Sequence, residues 1–294
     1  MTRFFDLVLN GVSLGSIYAL IALGFVIVFK ATEVVNFAQG SLLVLGGYIT
    51  TQAHDHMPFV PALLVGIAAT ALTALLIERV FIRNMRGANV NALAILTIGI
   101  DIVLITELTR RFGSDVLTIG DPWGNKLVHF AGLQLPQSRL AATIVAAVLL
   151  IGFFAAFKYS NWGVAMRAGA EDNEAAALMG IRRGRVTATA WMIAGLLAAV
   201  AVVFLTAFPS PGLDTGAREI ALRAFPAAIL GGLDSTGGAV VGGLLIGLAE
   251  AMTAGYSITL LGGGLSDVIP YLVMLVILLV RPSGLFGTRE LTRV

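Results

Sequence analysis

The feature that most constrains the fold of this chain is a succession of long apolar segments with few or no charged residues. The first of them, Leu7–Phe29, contains no charged side chain. About 20 such residues form a helix that crosses the ~30 Å hydrocarbon core of a bilayer. Similar segments follow at Val34–Ala53, Met57–Ile77, Ala88–Leu108, Leu140–Phe157, Val186–Phe208, Ala239–Ala254 and Val268–Val280. We therefore predict a membrane protein with helical spans.

The composition places the whole chain in the membrane. Of its 294 residues, 57% are hydrophobic and 12% are charged, whereas soluble domains carry about 25% charged residues. One further apolar segment, Glu219–Leu233, is shorter than the bilayer and contains Arg223 and Pro226, so we interpret it as a half-helix or re-entrant segment. The predicted fold is an all-α polytopic membrane protein, a bundle of about eight or nine membrane segments that forms one transmembrane domain over residues 1–294.

The distribution of basic residues predicts the orientation, because cytoplasmic loops are enriched in Lys and Arg. The loop over residues 158–186 and two other regions are predicted to be cytoplasmic, whereas the loop over residues 114–138 is predicted to face outward. The basic residues of the cytoplasmic set are Lys158, Arg167, Arg182, Arg183, Arg185, Arg79, Arg83, Arg86, Arg281, Arg289 and Arg293. The N-terminus lies outside if every segment crosses, and inside if either Val34–Ala53 or Glu219–Leu233 is re-entrant.

The composition also excludes several functions. Without cysteine the chain forms neither a disulfide nor a thiolate metal site, and its net charge of +2 does not indicate nucleic-acid binding. It contains no Gly-Lys pair and no His-Glu-x-x-His motif, so the Walker A loop for ATP and the zincin site are both absent. We interpret His54-Asp55-His56 as a solvated outer loop. We find no nucleophile–base pair or metal set in the spans, and predict no enzyme activity and no cofactor in this chain.

Polar residues between the first two apolar runs allow two interpretations. Lys30 and Glu33 lie between Leu7–Phe29 and Val34–Ala53, and Asn36 and Gln39 lie near the start of the second segment. They either form a capped turn that connects two spans, or Asn36 and Gln39 offer hydrogen bonds to a polar solute along a path or at its gate. In both cases the polar groups indicate neighbouring water or protein rather than lipid.

Two carboxylates inside the spans are candidate functional groups, because an ionised carboxylate at the bilayer centre costs about 2.5–3.5 kcal/mol on insertion scales. Asp101 lies well inside its span and Glu250 lies in a Leu-Ala-Glu-Ala stretch. Asp101 either lines a path or faces inward and pairs with a Ser, a Thr or a partner subunit. Glu250 is a candidate to pair with an Arg or a partner subunit. The candidate path residues are Ser13, Asn36, Gln39, Asp101 and Glu250.

The loop over residues 158–186 has the composition of a surface helix. Ala165–Met179 is rich in Ala, which favours helix formation, and Gly180 is well placed to end the helix. Glu174, Ala175 and Ala176, followed after three residues by Gly180, resemble the EAA loop of ATP-binding-cassette (ABC) importer permeases. The Ile-x-Leu-Pro continuation of the general pattern is missing, which indicates a divergent subclass.

The rest of the chain narrows the resemblance. The stretches "NGVSLGSIYALIALGFVIVFKATEVVNFAQGSLLVLGGYI", "GVAMRAGAEDNEAAALMGI", "AAILGGLDSTGGAVVGGLLIGLAEA" and "LVRPSGLFG" resemble, in the same order, the branched-chain amino-acid ABC permeases of the LivH type. Two positions depart from that family. Gln39 stands where the family often has His, and Asp101 stands where a small or apolar residue is expected.

The resemblance implies a multi-pass permease of the bacterial inner membrane that imports branched-chain amino acids by alternating access. It implies a second permease of the LivM type, two cytoplasmic ATPases that bind ATP and Mg, and a periplasmic amino-acid-binding protein. It further implies that the surface helix docks on an ATPase. The residues carried over for this coupling are Arg167, Glu171, Asp172, Glu174, Ala175, Ala176, Leu178, Met179, Gly180 and Ile181.

Two alternatives stay open beside this hypothesis. The same importer type carries urea, amides or another small polar solute in related proteins. A secondary transporter driven by an ion gradient would use Asp101, Glu250 or Glu33 as its coupling carboxylate.

Overall fold

A computed structural model describes residues 2–85, 89–113, 115–120, 122–123, 126–130, 133–207, 212–256 and 264–288. In this part of the chain the helices are α1 (Thr2–Thr32), α2 (Gln39–His54), α3 (Phe59–Ile77), α4 (Val90–Phe112), α5 (Gln137–Tyr159), α6 (Asn161–Glu171), α7 (Asn173–Leu178), α8 (Arg183–Leu205), α9 (Ala217–Leu222), α10 (Ala224–Gly231), α11 (Thr236–Gly255) and α12 (Leu265–Val280). The predicted span ends Ala88 and Phe208, and Arg86, Arg289 and Arg293, lie outside the described residues.

The helices confirm the predicted all-α membrane fold. Six of them are long and apolar enough to cross a bilayer: α1, α3 with the π-helical and 3₁₀ turns that extend it to Met85, α4, α5, α8 and α11. The other membrane helices, α2 and α12, have 16 residues each. In the loop after α4, the strands β1 (Leu127–Phe130) and β2 (Leu133–Pro136) form an antiparallel hairpin that the sequence did not predict.

The ends of α1 and α11 define the two ends of the bundle, because the two helices lie antiparallel. The Arg3 guanidinium donates to the Gly255 carbonyl oxygen (2.6 Å), and the Lys30 ammonium donates to the Asp234 carbonyl oxygen (2.8 Å). Most described basic residues lie at the Lys30 end, namely Lys30, Arg79, Arg83, Lys158, Arg167, Arg182, Arg183, Arg185 and Arg281. By the positive-inside rule we assign this end to the cytoplasm and call the opposite end the outer end.

The short segment between α8 and α11 connects the two ends. Near its start, Leu213 pairs through its backbone with Leu117, which lies beyond the outer end of α4. At its cytoplasmic end, backbone N–H groups of the chain after α12 donate to the Leu230 and Gly231 carbonyl oxygens. The predicted short segment is therefore present as two helices, α9 and α10, and it crosses the bundle instead of turning back. Nine described segments then cross, which places the N-terminus at the outer end.

The packing core consists of α1 and α8, which are buried over most of their length, whereas α4 and α5 expose broad apolar faces. Glycines let the central helices approach closely, as expected where no hydrophobic effect drives helices together in lipid. A Cβ atom on Gly15 of α1 would lie 2.8 Å from the Leu244 Cα of α11, and one on Gly46 of α2 would lie 2.8 Å from the Ala199 Cα of α8. These distances leave no room for a side chain.

A substitution in the α1–α11 contact tests this packing. Gly15→Val is expected to lower the melting temperature of the purified protein in detergent, since overpacking costs about 1–3 kcal/mol. Gly152→Val in α5 is the matched control, because a Cβ atom there meets no other atom within 4 Å. Equal melting temperatures for the two variants would contradict the close approach of α1 and α11.

Candidate functional site

The chain between α1 and α2 is non-helical inside the bundle. Gln39 lies beside Gly24, two helical turns before the end of α1, so residues 33–38 reach inward from the cytoplasmic end. Irregular backbone at membrane depth is tolerated only where protein or water satisfies its polar groups. Here the Asn36 Oδ1 atom accepts from the Ala38 N–H (3.1 Å) and the Thr97 hydroxyl of α4 accepts from the Phe37 N–H (3.3 Å). Hydrogen bonds to the protein therefore stabilise the non-helical conformation of residues 33–38.

The side chains of Asn36 and Gln39 continue this network. Both residues are fully buried. The Asn36 amide donates to the Gln39 Oε1 atom (3.2 Å), and the Gln39 amide donates to the Ala194 carbonyl oxygen of α8 (3.2 Å). Both side chains thus bind protein atoms and hold α2 against α8. The structure favours a connecting role in this conformation, and a gate role requires that these bonds break.

Asp101 forms an ion pair that the sequence did not predict. Its carboxylate is 2% exposed and accepts from the Arg218 guanidinium of α9 at 2.5 and 2.9 Å. The predicted partner types were Ser, Thr or another subunit. Arg218 lies on a short segment whose crossing of the bundle could not be deduced from local pattern. The sequence did offer one signal, because an ionised carboxylate inside a span is normally paired with another group of the protein.

Glu250 belongs to a second ion-pair cluster, nearer the outer end. Its carboxylate accepts from the Tyr18 hydroxyl (2.8 Å) and lies 3.3 Å from the Arg223 guanidinium. Arg223 also pairs with Asp267 at the start of α12 (2.9 Å). Glu250 therefore pairs with an arginine, which was one of the two predicted alternatives, and Tyr18 and Asp267 are additional members that the sequence did not single out.

This cluster lines a cavity of about 400 Å³. Ser13 of α1 also lines the cavity, and its hydroxyl donates to the Arg139 carbonyl oxygen of α5 (3.0 Å). The structure thus brings together two of the five predicted path residues, Ser13 and Glu250. The other three, Asn36, Gln39 and Asp101, lie in the buried network around residues 33–38 and α9, and none of them lines this cavity.

The helix α9 connects the two polar regions. Arg218, near its start, pairs with α4, and Arg223, directly after its last residue, pairs with α11 and α12. The guanidinium group stays protonated in proteins, so each arginine carries a permanent charge into the bundle. The two ion-pair sets therefore fix the position of α9 relative to three longer helices.

The predicted surface helix is present, but as two helices. The single helix predicted over Ala165–Met179 is broken at Asp172, whose φ and ψ of −151° and 106° are extended. The Asp172 carboxylate accepts from the Glu174 and Ala175 N–H groups (2.9 Å each), and so starts α7 as its N-cap. A carboxylate at the N-cap stabilises the start of a helix. Because this cap at Asp172 competes with continuation of α6, one long helix does not form.

Gly180 ends α7, as the sequence predicted. Its φ is +83°, a conformation that glycine adopts without steric cost. The Ile181 N–H donates to the Ala176 carbonyl oxygen (3.1 Å) and the Gly180 N–H donates to the Ala177 carbonyl oxygen (3.0 Å). These two bonds form a Schellman motif, so the end of α7 is well defined.

The tip of α7 exposes two large apolar side chains. Leu178 is 89% exposed and Met179 is 85% exposed. The predicted coupling residues Glu171, Glu174 and Ala175 are also exposed, whereas Ala176 is buried. Arg167 anchors the base of this surface, because its guanidinium donates to the carbonyl oxygens of Phe157 and Lys158 at the end of α5. Adjacent exposed apolar side chains of this kind mark surfaces that contact a protein or a membrane.

No group of three or more potential metal-ligating side chains is found among the described residues. His54 is the last residue of α2, and its ring packs against Phe59, so only Asp55 and His56 lie in the predicted exposed outer turn.

Comparison with known proteins decides the family. Residues 7–278 match the family model described as "Branched-chain amino acid transport system / permease component". The chain belongs to this permease family. It is a component of a transport system, a multi-pass inner-membrane protein and not an enzyme, and it works with further subunits.

The sequences of several named relatives align with almost the whole length of the permease. It is 32% identical to the high-affinity branched-chain amino acid transport system permease protein LivH of Salmonella typhimurium, over 99% of this chain and 98% of the relative. It is 31% identical to BraD of Pseudomonas aeruginosa over the same shares, and 29% identical to a probable LivH of Methanocaldococcus jannaschii over 92% of this chain and 89% of the relative. No solved structure matches this permease.

The Asp101–Arg218 pair generates a stability prediction. Asp101→Asn is expected to lower the melting temperature strongly, because removing one partner of a buried pair costs about 3–5 kcal/mol. The double variant Asp101→Asn/Arg218→Gln is expected to be more stable than the Asp101→Asn single variant, since no uncompensated charge remains. Thermal unfolding in detergent measures both.

Glu107→Gln is the matched control, because Glu107 lies in the same helix and pairs with Arg110 and Arg111 at the exposed outer end. Exposed pairs contribute little, so this variant should melt close to the wild type. The account of the buried pair fails if Asp101→Asn melts like the control, or if the double variant is no more stable than Asp101→Asn.

Proposed function

We propose that this permease is the membrane subunit of an ABC importer that carries branched-chain, apolar amino acids inward by alternating access. The observation that carries the proposal is the capped helix α7 with Leu178 and Met179 exposed at the cytoplasmic end. A transporter energised from within its own spans has no need for such a surface. Relatives that are named as branched-chain amino acid transport system permeases support the substrate class.

The coupling role falls to the surface formed by α6, α7 and the residues that end α7. In the proposal, Leu178 and Met179 insert into a groove of an ATPase, while Glu171 and Glu174 offer charge at the rim. Asp172, Gly180 and Ile181 set the shape of the helix, the exposed Ala175 allows close approach, the buried Ala176 accepts the hydrogen bond from Ile181 that ends the helix, and Arg167 transmits force to the end of α5. ATP and Mg would bind to the ATPases and not to this chain.

The path role divides between the two polar regions. We assign Ser13 and Glu250 to the outer part of the path, because both line the cavity below the outer end. Asn36, Gln39 and Asp101 are assigned to the closed part, where non-helical backbone and an ion pair fill the bundle. Discontinuous helices of this kind surround the substrate sites of many transporters. Inward opening would require the network around Asn36 to rearrange.

The proposal includes specific partners. They are a second permease of the LivM type, two cytoplasmic ATPases, a periplasmic amino-acid-binding protein that delivers the substrate, and the surrounding membrane lipid. Exposed apolar faces on α3, α4, α5 and α12 supply enough surface for both lipid and the second permease. Nucleic acid has no part in the proposal.

A secondary transporter is the weaker candidate. Its coupling carboxylate must bind and release a proton or sodium ion, but Asp101 is paired with Arg218 and Glu250 is paired with Arg223. Glu33 lies at the cytoplasmic end and is exposed. The arrangement of these three groups therefore does not favour ion coupling.

Uptake of labelled leucine tests the proposal. The permease is reconstituted in vesicles with its neighbouring permease, ATPases and binding protein, and uptake is measured with ATP and, separately, with an imposed proton or sodium gradient. Uptake is expected to require both ATP and the binding protein and to be independent of the gradient. An ATPase variant that binds but does not hydrolyse ATP is the control and should abolish uptake.

Uptake driven by the gradient alone would overturn the importer mechanism. ATPase activity that the binding protein stimulates with urea or an amide, but not with leucine, would keep the mechanism and overturn the substrate.

A further inference from the structure

The outer cavity has charged groups of both signs on different helices and apolar walls between them. Arg139 lines it from α5, whereas Arg223, Glu250 and Asp267 line it from the chain after α9, from α11 and from α12. The wall between these charges is mainly apolar, with the small polar residues Asn10, Ser13, Ser138 and Ser266, and its apolar part includes Leu14, Ile17, Ala142, Phe204, Leu205 and Ile220. Its volume of about 400 Å³ is in the range of pockets that bind small molecules.

The local charges are complementary to a zwitterion. Arg223 pairs with both Glu250 (3.3 Å) and Asp267 (2.9 Å), so this group of one cation and two carboxylates carries a net charge of −1. Arg139, on the α5 side, supplies a charge of +1. A free amino acid has an ammonium and a carboxylate on the same carbon, and its side chain points away from both.

We propose that this cavity is a binding site for an apolar α-amino acid as a zwitterion, with Arg139 facing its carboxylate and the Glu250–Asp267 carboxylates facing its ammonium. The side chain lies against Ile17, Phe204 and Leu205. The substrate class in this inference rests on the proposed function. The inference adds Tyr18, Arg139, Arg223 and Asp267 to the residues that form the site.

The location suits a site that receives substrate. Asp267 has a side chain that is 56% exposed, and Ala254 at the end of α11 is exposed as well, so the cavity reaches the surface near the outer end. Tyr18 closes the inner side, because its buried hydroxyl donates to Glu250 (2.8 Å). A solute released at the outer end would meet these charges before it reached the closed region around Asn36.

The natural absence of cysteine permits a direct test. Ala142→Cys places one thiol in the cavity wall, and Asp55→Cys places one in the exposed outer turn as the control. In the assembled, nucleotide-free complex, the rate of modification by a small charged methanethiosulfonate is measured with and without leucine. Leucine is expected to slow modification of Ala142→Cys at least threefold and to leave Asp55→Cys unchanged. Ile220→Cys serves as a second cavity thiol if Ala142→Cys does not assemble.

Ligand analogues and charge variants test the assigned contacts. Leucinamide, which lacks the carboxylate, and 4-methylpentanoate, which lacks the ammonium, should protect much less than leucine. Arg139→Gln and Glu250→Gln should each weaken protection by leucine, whereas Arg110→Gln, at the exposed outer end of α4, should not.

Leucine uptake in the same vesicles separates this inference from the proposed function. Uptake without protection at either cavity thiol overturns the site and leaves the importer intact. Protection without uptake supports the site and overturns the transport assignment. If leucine neither protects a cavity thiol nor is taken up, both the site and the importer assignment are overturned. If leucinamide and 4-methylpentanoate protect as well as leucine does, the recognition of a zwitterion is overturned.

Discussion

Neutralisation of two arginines inside the bundle is the constraint on which the rest of this structure depends. Arg218 and Arg223 carry permanent charge on one short segment, and lipid cannot solvate it. Carboxylates from three other helices neutralise them, Asp101 from α4, Glu250 from α11 and Asp267 from α12. The position of α9 is thereby fixed, with the non-helical residues 33–38 on one side and the outer cavity on the other. Both candidate path regions therefore border the segment that these ion pairs hold in place.

The same constraint shapes how the permease can move. Buried pairs are costly to break, and glycine contacts such as Gly15 against Leu244 pack α1 and α11 closely together. Motion is therefore expected as displacement of packed groups of helices. The surface helix α7 lies over a cavity of about 220 Å³ lined by Lys30 of α1, Met166 of α6 and Arg183 of α8. A displacement of α7 by an ATPase would reach the ends of these helices directly.

The sequence was sufficient for the membrane class, most spans and the surface helix, because apolar length and helix-ending glycine are local signals. Gly180 ends α7 as predicted, whereas the short segment after α8 crosses the bundle as α9 and α10 and is not the half-helix or re-entrant segment that the sequence predicted. Local signals did not reveal the break at Asp172, where a side-chain cap competes with helix continuation. An arginine partner was foreseen for Glu250 but not for Asp101, and which arginines pair with them could not be deduced, since Arg218 and Arg223 meet these carboxylates only in the folded bundle. The role proposed for Arg139 follows from the cavity alone, because no motif in the sequence singled it out.

Site-specific photo-cross-linking from α7 tests the central claim that this exposed tip receives the ATPase stroke. Leu178→Cys carries the chain's only thiol and is labelled with a thiol-reactive benzophenone in the assembled complex, with Tyr256→Cys at the outer end as the control. The account predicts an adduct between Leu178→Cys and an ATPase subunit, with a yield that changes when ATP is added, and no ATPase adduct from Tyr256→Cys. A transport-competent complex without any ATPase adduct at Leu178→Cys would contradict the account.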